Sequence, residues 1–536
     1  MKLKIKIADY FSDRLNRYRF FSLLCFILII TAVAWQSDDA YHAYVMAKHL
    51  VEGNGFVYNI GERASASSCP LFTLVIACGY FVVRNMFFIS LFICIAFSAA
   101  AYGIICRHFC HNIRQVLFLF LAMITSVSFM SYTTSGLENS LLFFLAALFF
   151  KNYYAYEDFD GRQLFYMGLL ISLIALTRMD AVLMFVPAVV YIYIGRRKLV
   201  SFGRAVLIGF LSLLPFFLWE LFSLFYYGFP FPNTAYVKLG TDIALREYLY
   251  RGLQYLLTSA LCDPVLIVFI AFVIVTAFLL KKGRLIFTAL GLLLYLIYLF
   301  YIGGDFMLGR HFTTAFLISL ITVLYINENG FEADYKNRRF RFTVAGLLLG
   351  CMVFSATMGL ITSQFLYGHE NSSPIADERA GYFRYTSLYN NILSLIRTGD
   401  LCIRDAWNEQ GIEEYRACGL KGGILPMVPG ISIYYNSDMY LNDWYALGDP
   451  FLSKLPAEKE ENWRIGHMYR KPPEGYEDTA AFGENVIENE ALHEYYDVIR
   501  LITRGELFDP VRIRAVIDIN LGKYDHLIDE YESTLK

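Results

Sequence analysis

Long apolar runs follow one another through the first two thirds of this sequence. About eleven of them reach, or nearly reach, the length that a helix needs to cross ~30 Å of hydrocarbon. The chain of 536 residues is 57% hydrophobic, with a mean hydropathy of +0.44. Soluble proteins are far less apolar, so the sequence predicts a polytopic α-helical membrane protein. The runs cover residues 20–35, 86–106, 116–132, 139–153, 164–177, 181–194, 205–224, 262–280, 285–302, 312–326 and 342–361.

Basic residues give the orientation, because short loops rich in Lys and Arg stay cytoplasmic. They cluster at the N-terminus and in residues 107–114, 196–198, 281–284 and 336–341. All these loops lie on one side if residues 71–83 do not cross. That apolar run is short and ends at Arg84, so we interpret it as a helix lying in the membrane interface. The N-terminus is then cytoplasmic and the C-terminal region extracytoplasmic.

The C-terminal region differs from the rest in charge and pattern. Residues 363–536 are rich in acids, whereas residues 1–362 carry more bases than acids. We predict a transmembrane module in 1–362, with an external loop in 36–84, and a soluble domain in 363–536. The β-prone runs "ISIYY" and "RAVIDI" and the helical stretch "YTSLYNNILSLIRTG" make that domain mixed α/β. Its acidity argues against nucleic acid as a partner.

The absence of common motifs argues against several kinds of site, and the cysteines leave one question open. Cys402 and Cys418 lie in the external region and either pair or stay free. The sequence contains no phosphate-binding GxxxxGK[ST] loop, no GxSxG and no Cys/His set with metal spacing. Tyr440, Trp444 and Trp463 could stack on sugars, but such aromatics more often belong to a core.

Two adjacent acids, Asp38 and Asp39, come immediately after the first apolar run. One reading is that Ser37 or Asp38 caps the following helix, for which a single residue suffices. Adjacent carboxylates repel each other, so one of them needs a cation or hydrogen bonds. The alternative is that the chain leaves the membrane at an active site.

Further polar residues gather on the same predicted outer face. Transfer of a sugar from a lipid phosphate needs a base for the acceptor hydroxyl and cations for the leaving phosphate. Each cation could instead anchor the chain at the interface, and the acids could sit at helix N-termini. The candidates for substrate binding are Glu138, Arg178, Asn233, Lys238, Asp305, Arg310 and His311.

These residues also carry a resemblance to a known family. A first span, an outer Asp pair, an interfacial helix and further spans resemble the C-type (GT-C) glycosyltransferase fold, whose members use polyprenyl-phosphate sugars. The string "DDAYHAYVMAKHLVEGNGFVYNIGERASASSCPL" is similar to the opening signature of the terminal β-(1→2) arabinofuranosyltransferase family. The match continues through "SGLENSLLFFL", "ALTRMDAVLM", "YYGFPFPNTAYVKL", "GGDFMLGRHF" and "LGDPFLSKLPAEKEENWRIGHMYRKPPEGY".

The resemblance implies a function and roles for its residues. A sugar, arabinofuranose by the resemblance to that family, would pass from a polyprenyl phosphate to an envelope glycan or a pilin-like protein, with inversion. Either Asp38 or Asp39 would be the base, and Asp38 is preferred as the first acid beyond the membrane. The other candidates would line the donor cavity. The sequence requires no cofactor, although a divalent cation is compatible with it.

The same resemblance implies residence in the bacterial cytoplasmic membrane, with the lipid bilayer as a partner and the C-terminal domain in the periplasm. A lipid-linked sugar flippase or another transporter is the alternative. Transporters place essential charges near the bilayer midplane, whereas Asp38 and Asp39 lie just beyond the first span.

Overall fold

Helices form most of the regular structure in the computed structural model, which describes residues 11–195, 199–239, 241, 243–329, 346, 348–358, 374–405, 410–458 and 463–535. The helices are α1 (Arg14–Ala32), α2 (Ala40–Val51), α3 (Pro70–Val83), α4 (Met86–Phe109), α5 (Ile113–Thr125), α6 (Val127–Tyr132), α7 (Asn139–Ala155), α8 (Gly161–Thr177), α9 (Val186–Gly195), α10 (Phe202–Ser212), α11 (Leu214–Tyr226), α12 (Asn233–Leu239), α13 (Leu245–Cys262), α14 (Pro264–Leu280), α15 (Gly283–Tyr301), α16 (Phe312–Glu328), α17 (Leu348–Met358), α18 (Glu378–Thr386), α19 (Leu388–Thr398), α20 (Gln410–Ala417), α21 (Gly430–Tyr435), α22 (Tyr476–Phe482), α23 (Glu490–Arg504), α24 (Pro510–Asn520) and α25 (Asp525–Leu535). Short 3-10 helices cover Asp180–Met184, Cys402–Asp405 and Leu452–Lys454, and the strands are β1 (Gly422–Leu425) and β2 (Tyr440–Asp443).

Several of these helices are long and apolar enough to cross a membrane. Among the described residues, α1, α4 and α15 qualify individually, and the bent pairs α10 with α11 and α13 with α14 qualify together. The chain is therefore a helical membrane protein with three to five candidate spans in its described part. The expected number of about eleven is not confirmed.

Breaks in the helices explain part of this difference. The predicted span 116–132 is divided between α5 and α6 at Ser126, whose backbone is extended and whose hydroxyl accepts from the Phe129 N–H. The predicted span 181–194 becomes a 3-10 turn followed by α9. Of the predicted span 342–361, the helix α17 is described, whereas its two ends lie outside the described residues.

The chain groups into two compact units. The first unit contains residues 1–36, 90–215 and 245–393, and the second contains residues 37–89, 216–244 and 394–536. Each unit thus draws on separate stretches of sequence. The boundary predicted between residues 362 and 363 lies outside the described residues.

Two packed helices lie at the centre of the first unit. Almost every described side chain of α7 and α16 is buried, and the two helices pack against each other. A helix that is apolar all round needs such cover on every side. The polar residues that precede both helices are therefore held next to a rigid core.

The second unit combines the external loop with the C-terminal region. Helices α2 and α3 pack together, and the 14-residue α3 corresponds to the segment predicted to lie in the membrane interface. Strands β1 and β2 pair in parallel, with Gly422 opposite Tyr440. Its hydrophobic core joins α22 to α25 with the chain around Phe229 and Val237. Among the described residues, Cys402 and Cys418 do not form a disulfide.

Two sequence predictions in this unit are wrong. The run "ISIYY" lies in α21 and the run "RAVIDI" lies in α24. In α24, Asp509 accepts from the Val511 N–H and Pro510 stands at the first helical position, which starts the helix despite the β-branched residues. The α-helical period also brings Arg512, Ala515, Val516 and Ile519 to one buried face. The helical stretch at α19 is confirmed.

Candidate functional site

The first candidate cluster lies where the chain enters α2, in the second unit. Asp39 is the residue before α2, but its side chain makes no capping hydrogen bond there. The Asp38 carboxylate turns away to the start of α21, where it accepts from the N–H groups of Gly430 at 3.0 Å and Ile431 at 2.9 Å. The Asp38 side chain therefore does not cap α2, which was one of the interpretations of this residue given above.

His42 completes a compact group with the two acids. The potential ligand atoms of Asp38, Asp39 and His42 lie within 4.8 Å of one another, and we call these three residues the acid cluster. The Nδ1 atom of His42 is 2.7 Å from the Tyr58 hydroxyl, which fixes the ring. Gly430 allows the close approach, since a Cβ there would lie 2.7 Å from the Asp38 carbonyl oxygen.

Burial controls the protonation of this cluster. Loss of solvent raises the pKa of Asp38 to about 7, against the opposing hydrogen bond from Ile431, and the neighbouring Asp39 charge adds to the rise. Burial lowers the pKa of His42, which favours the neutral ring, although Asp39 opposes this. At neutral pH the cluster can therefore accept a proton at Asp38.

Two carboxylates and a neutral imidazole are also the ligand types that divalent cations take. Both Asp38 oxygens already accept backbone hydrogen bonds, so Asp39 and His42 would supply the more accessible ligand atoms. The residues are thus chemically compatible with a cation. Base catalysis by a carboxylate does not require a divalent cation.

Asp443, at the end of β2, is a further acid near this cluster. Its carboxylate accepts from the N–H groups of Val428 and Tyr445. Burial raises the pKa of Asp443 to about 7, and the Asp38 charge contributes to that rise. The short segment 428–431 therefore donates backbone hydrogen bonds to two buried carboxylates, Asp443 and Asp38.

The second candidate cluster lies in the first unit, before α7 and α16 and after α8. Glu138 lies between two arginines, at 2.9 Å from the Arg310 guanidinium and 3.4 Å from that of Arg178. Arg178 also makes two hydrogen bonds to Asp180, at 3.0 and 2.8 Å. We call Glu138, Arg178, Asp180, Asp305, Arg310 and His311 the charge cluster.

His311 links the rest of the charge cluster. Its Nε2 lies 3.2 Å from an Asp305 oxygen, and its Nδ1 lies 3.2 Å from the Tyr295 hydroxyl. A nitrogen of the Arg178 guanidinium is 3.1 Å from each ring nitrogen of His311. The Tyr255 hydroxyl accepts from the His311 backbone N–H.

The balance of charge in this cluster is close to neutral. Three carboxylates face two guanidinium groups, and all of these side chains are largely buried. Burial alone would raise the pKa of Glu138, but Arg310 and Arg178 outweigh it and hold that pKa below its usual value. Burial and the Arg178 charge lower the pKa of His311. Any anion that binds here has to share the arginines with Glu138 and Asp180.

The structure thus brings five of the seven predicted binding residues together in the first unit, and the other two belong to the second unit. Glu138, Arg178, Asp305, Arg310 and His311 meet in the charge cluster. Asn233 and Lys238 lie on α12 in the second unit, where Asn233 is buried and Lys238 is exposed. The backbone N–H of Asn233 donates to the Ser65 carbonyl oxygen at 2.9 Å.

Some residues in these contacts were not among the predicted site residues. Asp180 follows Arg178 by two residues in "TRMDA", and that spacing is a usable signal for an Arg–Asp pair. Tyr58 and Tyr295 carry no comparable signal, because one lies in an irregular loop and the other within an apolar run. Only the folded chain places their hydroxyls on His42 and His311.

The three aromatics considered for sugar stacking are mainly structural. The Tyr440 hydroxyl donates to Glu62, Trp463 is buried, and Trp444 packs against the core of the second unit. These contacts favour the core interpretation of all three.

Comparison of the chain with protein-family models, with curated proteins and with solved structures gives no match.

Proposed function

We propose that this protein is a membrane glycosyltransferase of the GT-C type, with about eleven spans. It would transfer a sugar, arabinofuranose by the family resemblance, from a polyprenyl-phosphate donor to an envelope glycan or protein. The observation that carries the proposal is the acid cluster, in which Asp38, Asp39 and His42 converge within 4.8 Å. A paired carboxylate with a neutral histidine beside it is suited to proton removal.

In this proposal Asp38 is the general base. Hydrogen bonds from Gly430 and Ile431 orient its carboxylate, and its pKa of about 7 lies near the working pH. The acceptor hydroxyl gives its proton to Asp38 while its oxygen bonds to the anomeric carbon. The bond from that carbon to the phosphate oxygen breaks, and the lipid phosphate leaves with the electron pair. A single displacement of this kind inverts the anomeric centre.

The charge cluster is assigned to the donor phosphate. Arg178 and Arg310 present guanidinium groups whose orientation is held by the shared Glu138. A planar guanidinium group can donate two hydrogen bonds to two phosphate oxygens at once. An arginine that is already held in the required orientation binds the phosphate at a lower free-energy cost. Tyr295 and Asp305 hold the His311 ring in place.

A purely structural role for Asp38 is the competing interpretation, because its carboxylate already secures the start of α21. The test uses the full chain in lipid, a synthetic polyprenyl-phosphoryl arabinofuranose, and envelope glycans and proteins as acceptors. Transfer is measured for the wild type, Asp38→Asn and Asp39→Asn from pH 5 to 9, with and without a chelator. Thermal unfolding of each variant is the control for folding.

We expect no transfer by Asp38→Asn and, for the wild type, a rate that rises to a plateau around pH 7. Full transfer by a folded Asp38→Asn variant would exclude Asp38 as the base. Loss of transfer only in Asp39→Asn would move the role to that residue. If the wild type is inert with every polyprenyl-phosphate sugar offered, the transport alternative is favoured.

The proposal also includes a periplasmic C-terminal domain and a cytoplasmic N-terminus. A reporter that is active only in the periplasm, fused after Lys536, tests this orientation. We expect an active reporter. An inactive but intact fusion, with activity recovered from a cytoplasmic reporter at the same point, would reverse the topology.

A further inference from the structure

Helix α24 in the C-terminal region exposes apolar side chains opposite its buried face and also carries the charged residues Arg514 and Asp518. One face carries Ala515, Val516 and Ile519 and is buried in the core of the second unit. The other exposes Ile517, and it continues into Leu521, which is 78% exposed. A helix on the surface of a soluble domain normally turns charged or polar side chains outward. We therefore expect the exposed apolar side chains of α24 to contact an apolar partner.

Neighbouring residues extend this surface. Phe508, before the helix, is 76% exposed, and Val511 in its first turn is 63% exposed. These and the other exposed apolar side chains lie around the outer half of the helix, and we call Phe508, Val511, Ile513, Ile517 and Leu521 the apolar face. By contrast, the exposed side of α23 carries acids such as Glu494 and Asp497. The apolar face therefore differs in character from the outward side of the neighbouring helix α23.

The apolar face is joined directly to the end of α11. The ring of Phe508 lies 5.4 Å from the ring of Phe225, near the last turn of α11. Buried Arg512 donates 2.9 Å hydrogen bonds to the carbonyl oxygens of Phe225 and Tyr226. Those carbonyls have no partner within their own helix, so Arg512 caps α11 from α24.

Two further contacts make this junction rigid. The side chain of Asn520 donates to the Gly228 carbonyl oxygen at 2.8 Å. Gly228 has a φ of +84°, and a Cβ there would lie 2.2 Å from an Ile502 methyl group. Both ends of α24 are therefore fixed to the chain that leaves α11.

Helix α11 is half of a bent apolar pair that qualifies as a membrane span. It exposes Leu218 and Leu221, at 55% and 63%. An exposed apolar side chain on a membrane span faces lipid. Phe508 extends this lipid-facing surface from α11 onto α24. We therefore take the hydrocarbon of the bilayer as the apolar partner of the apolar face.

We propose that α24 is an interfacial helix that inserts its apolar face into the bilayer beside the end of α11. Arg514, with a side chain 80% exposed, and Lys523, at 56%, both pair with Asp518, at 3.8 and 2.7 Å. These ion pairs can lie at the level of the lipid headgroups while the aliphatic stems of Arg514 and Lys523 stay in the apolar zone. The C-terminal region is then held at the membrane surface by its own helix as well as by chain connectivity. This inference is independent of the proposed enzymatic function.

Photo-cross-linking tests the contact in the full chain, reconstituted in nanodiscs of phosphatidylethanolamine and phosphatidylglycerol. The photoreactive residue p-benzoylphenylalanine is installed, one position at a time, at 511 and 521 on the apolar face. Position 221 on α11 is the positive control for lipid contact. Position 494, exposed on α23, is the matched negative control within the same unit. All four side chains are exposed, so the replacements leave the core intact.

We expect lipid adducts at 511 and 521 at a yield comparable to that at 221 and several-fold above that at 494. Lipid labelling at 511 and 521 no higher than at 494, while 221 is labelled, would overturn the proposal. Adducts at 521 to a second copy of the chain or to another protein, in place of lipid, would also overturn it.

Discussion

Single buried charges define both candidate clusters. Glu138 is the clearest example, since one carboxylate serves two guanidinium groups. Such a residue is poorly replaceable, because removing one member of a buried pair leaves the partner charge without compensation. In the acid cluster, Asp38 is held by backbone N–H groups, which an uncharged side chain can satisfy in part.

Replacing Glu138 by Gln should be strongly destabilising. The variant keeps the shape of the side chain but loses the charge, so the free energy of unfolding should fall by about 3 kcal/mol. Because Arg178 still pairs with Asp180 in the variant, we expect the loss of unfolding free energy to lie at the lower end of the usual range. Thermal or denaturant unfolding in lipid or detergent measures the change.

The control is Asp438→Asn, which breaks the exposed pair with Arg416. Exposed pairs contribute at most about 1 kcal/mol, so this variant should unfold almost as the wild type does. Equal losses in the two variants would show that the Glu138 pairs are as weak as a surface pair.

At the scale of elements, the start of a helix can be read from local sequence only where its capping residue is close in the chain. Asp509 with Pro510 could have identified the start of α24 from sequence, but the β-branched residues of "RAVIDI" obscured it. Helix α21 is different, since the carboxylate at its start belongs to Asp38, far away in the chain. No local pattern in "ISIYY" contains that information.

Close packing of two elements next to the charge cluster gives a second prediction. Gly291 of α15 lies against the 3-10 turn Asp180–Met184, and a Cβ there would be 2.1 Å from the Met184 carbonyl oxygen. Gly291→Ala should therefore force α15 away from the turn that bears Asp180. We expect a loss of at least about 1–3 kcal/mol in the free energy of unfolding, as for other overpacked sites.

Gly103→Ala is the matched control on α4. The nearest atom to a Cβ at that position is 4.0 Å away, on Leu23. Alanine favours a helix over glycine by roughly 0.5–1 kcal/mol, so this variant should be neutral or slightly more stable. A Gly291→Ala variant as stable as Gly103→Ala would contradict the close approach.

At the scale of the whole molecule, buried acids make the stability of the fold depend on pH. Burial raises the pKa of Asp38 and Asp443 to about 7 and that of Asp449 to about 6. In the unfolded chain these groups ionise near pH 4. The folded state therefore binds protons that the unfolded state has released, and stability falls as the pH rises from about 4 to 7.

Comparison of wild type with Asp443→Asn isolates one of these contributions, because buried histidines such as His42 are present in both proteins. Asparagine does not ionise, so the cost of the substitution should shrink as the pH rises from 5 to 8. One unit of pKa corresponds to about 1.4 kcal/mol, and we expect a change on the order of 2 kcal/mol over this range. Unfolding curves at pH 5, 6, 7 and 8 measure it; a cost that is constant with pH would contradict the raised pKa.

The sequence by itself determined the helical membrane character, because apolar runs in lipid have few alternatives to helix. It also marked Asp38 and Asp39, together with most members of the charge cluster, since polar residues between apolar runs stand out. Tertiary structure decided which of these residues meet, and it added contacts from Asp180, Tyr58 and Tyr295. It also decided that α24 keeps an apolar outer face beside α11. The physical reason is range: sequence periodicity reports on a few neighbouring residues, whereas contacts such as Asp38 with Gly430 join positions hundreds of residues apart.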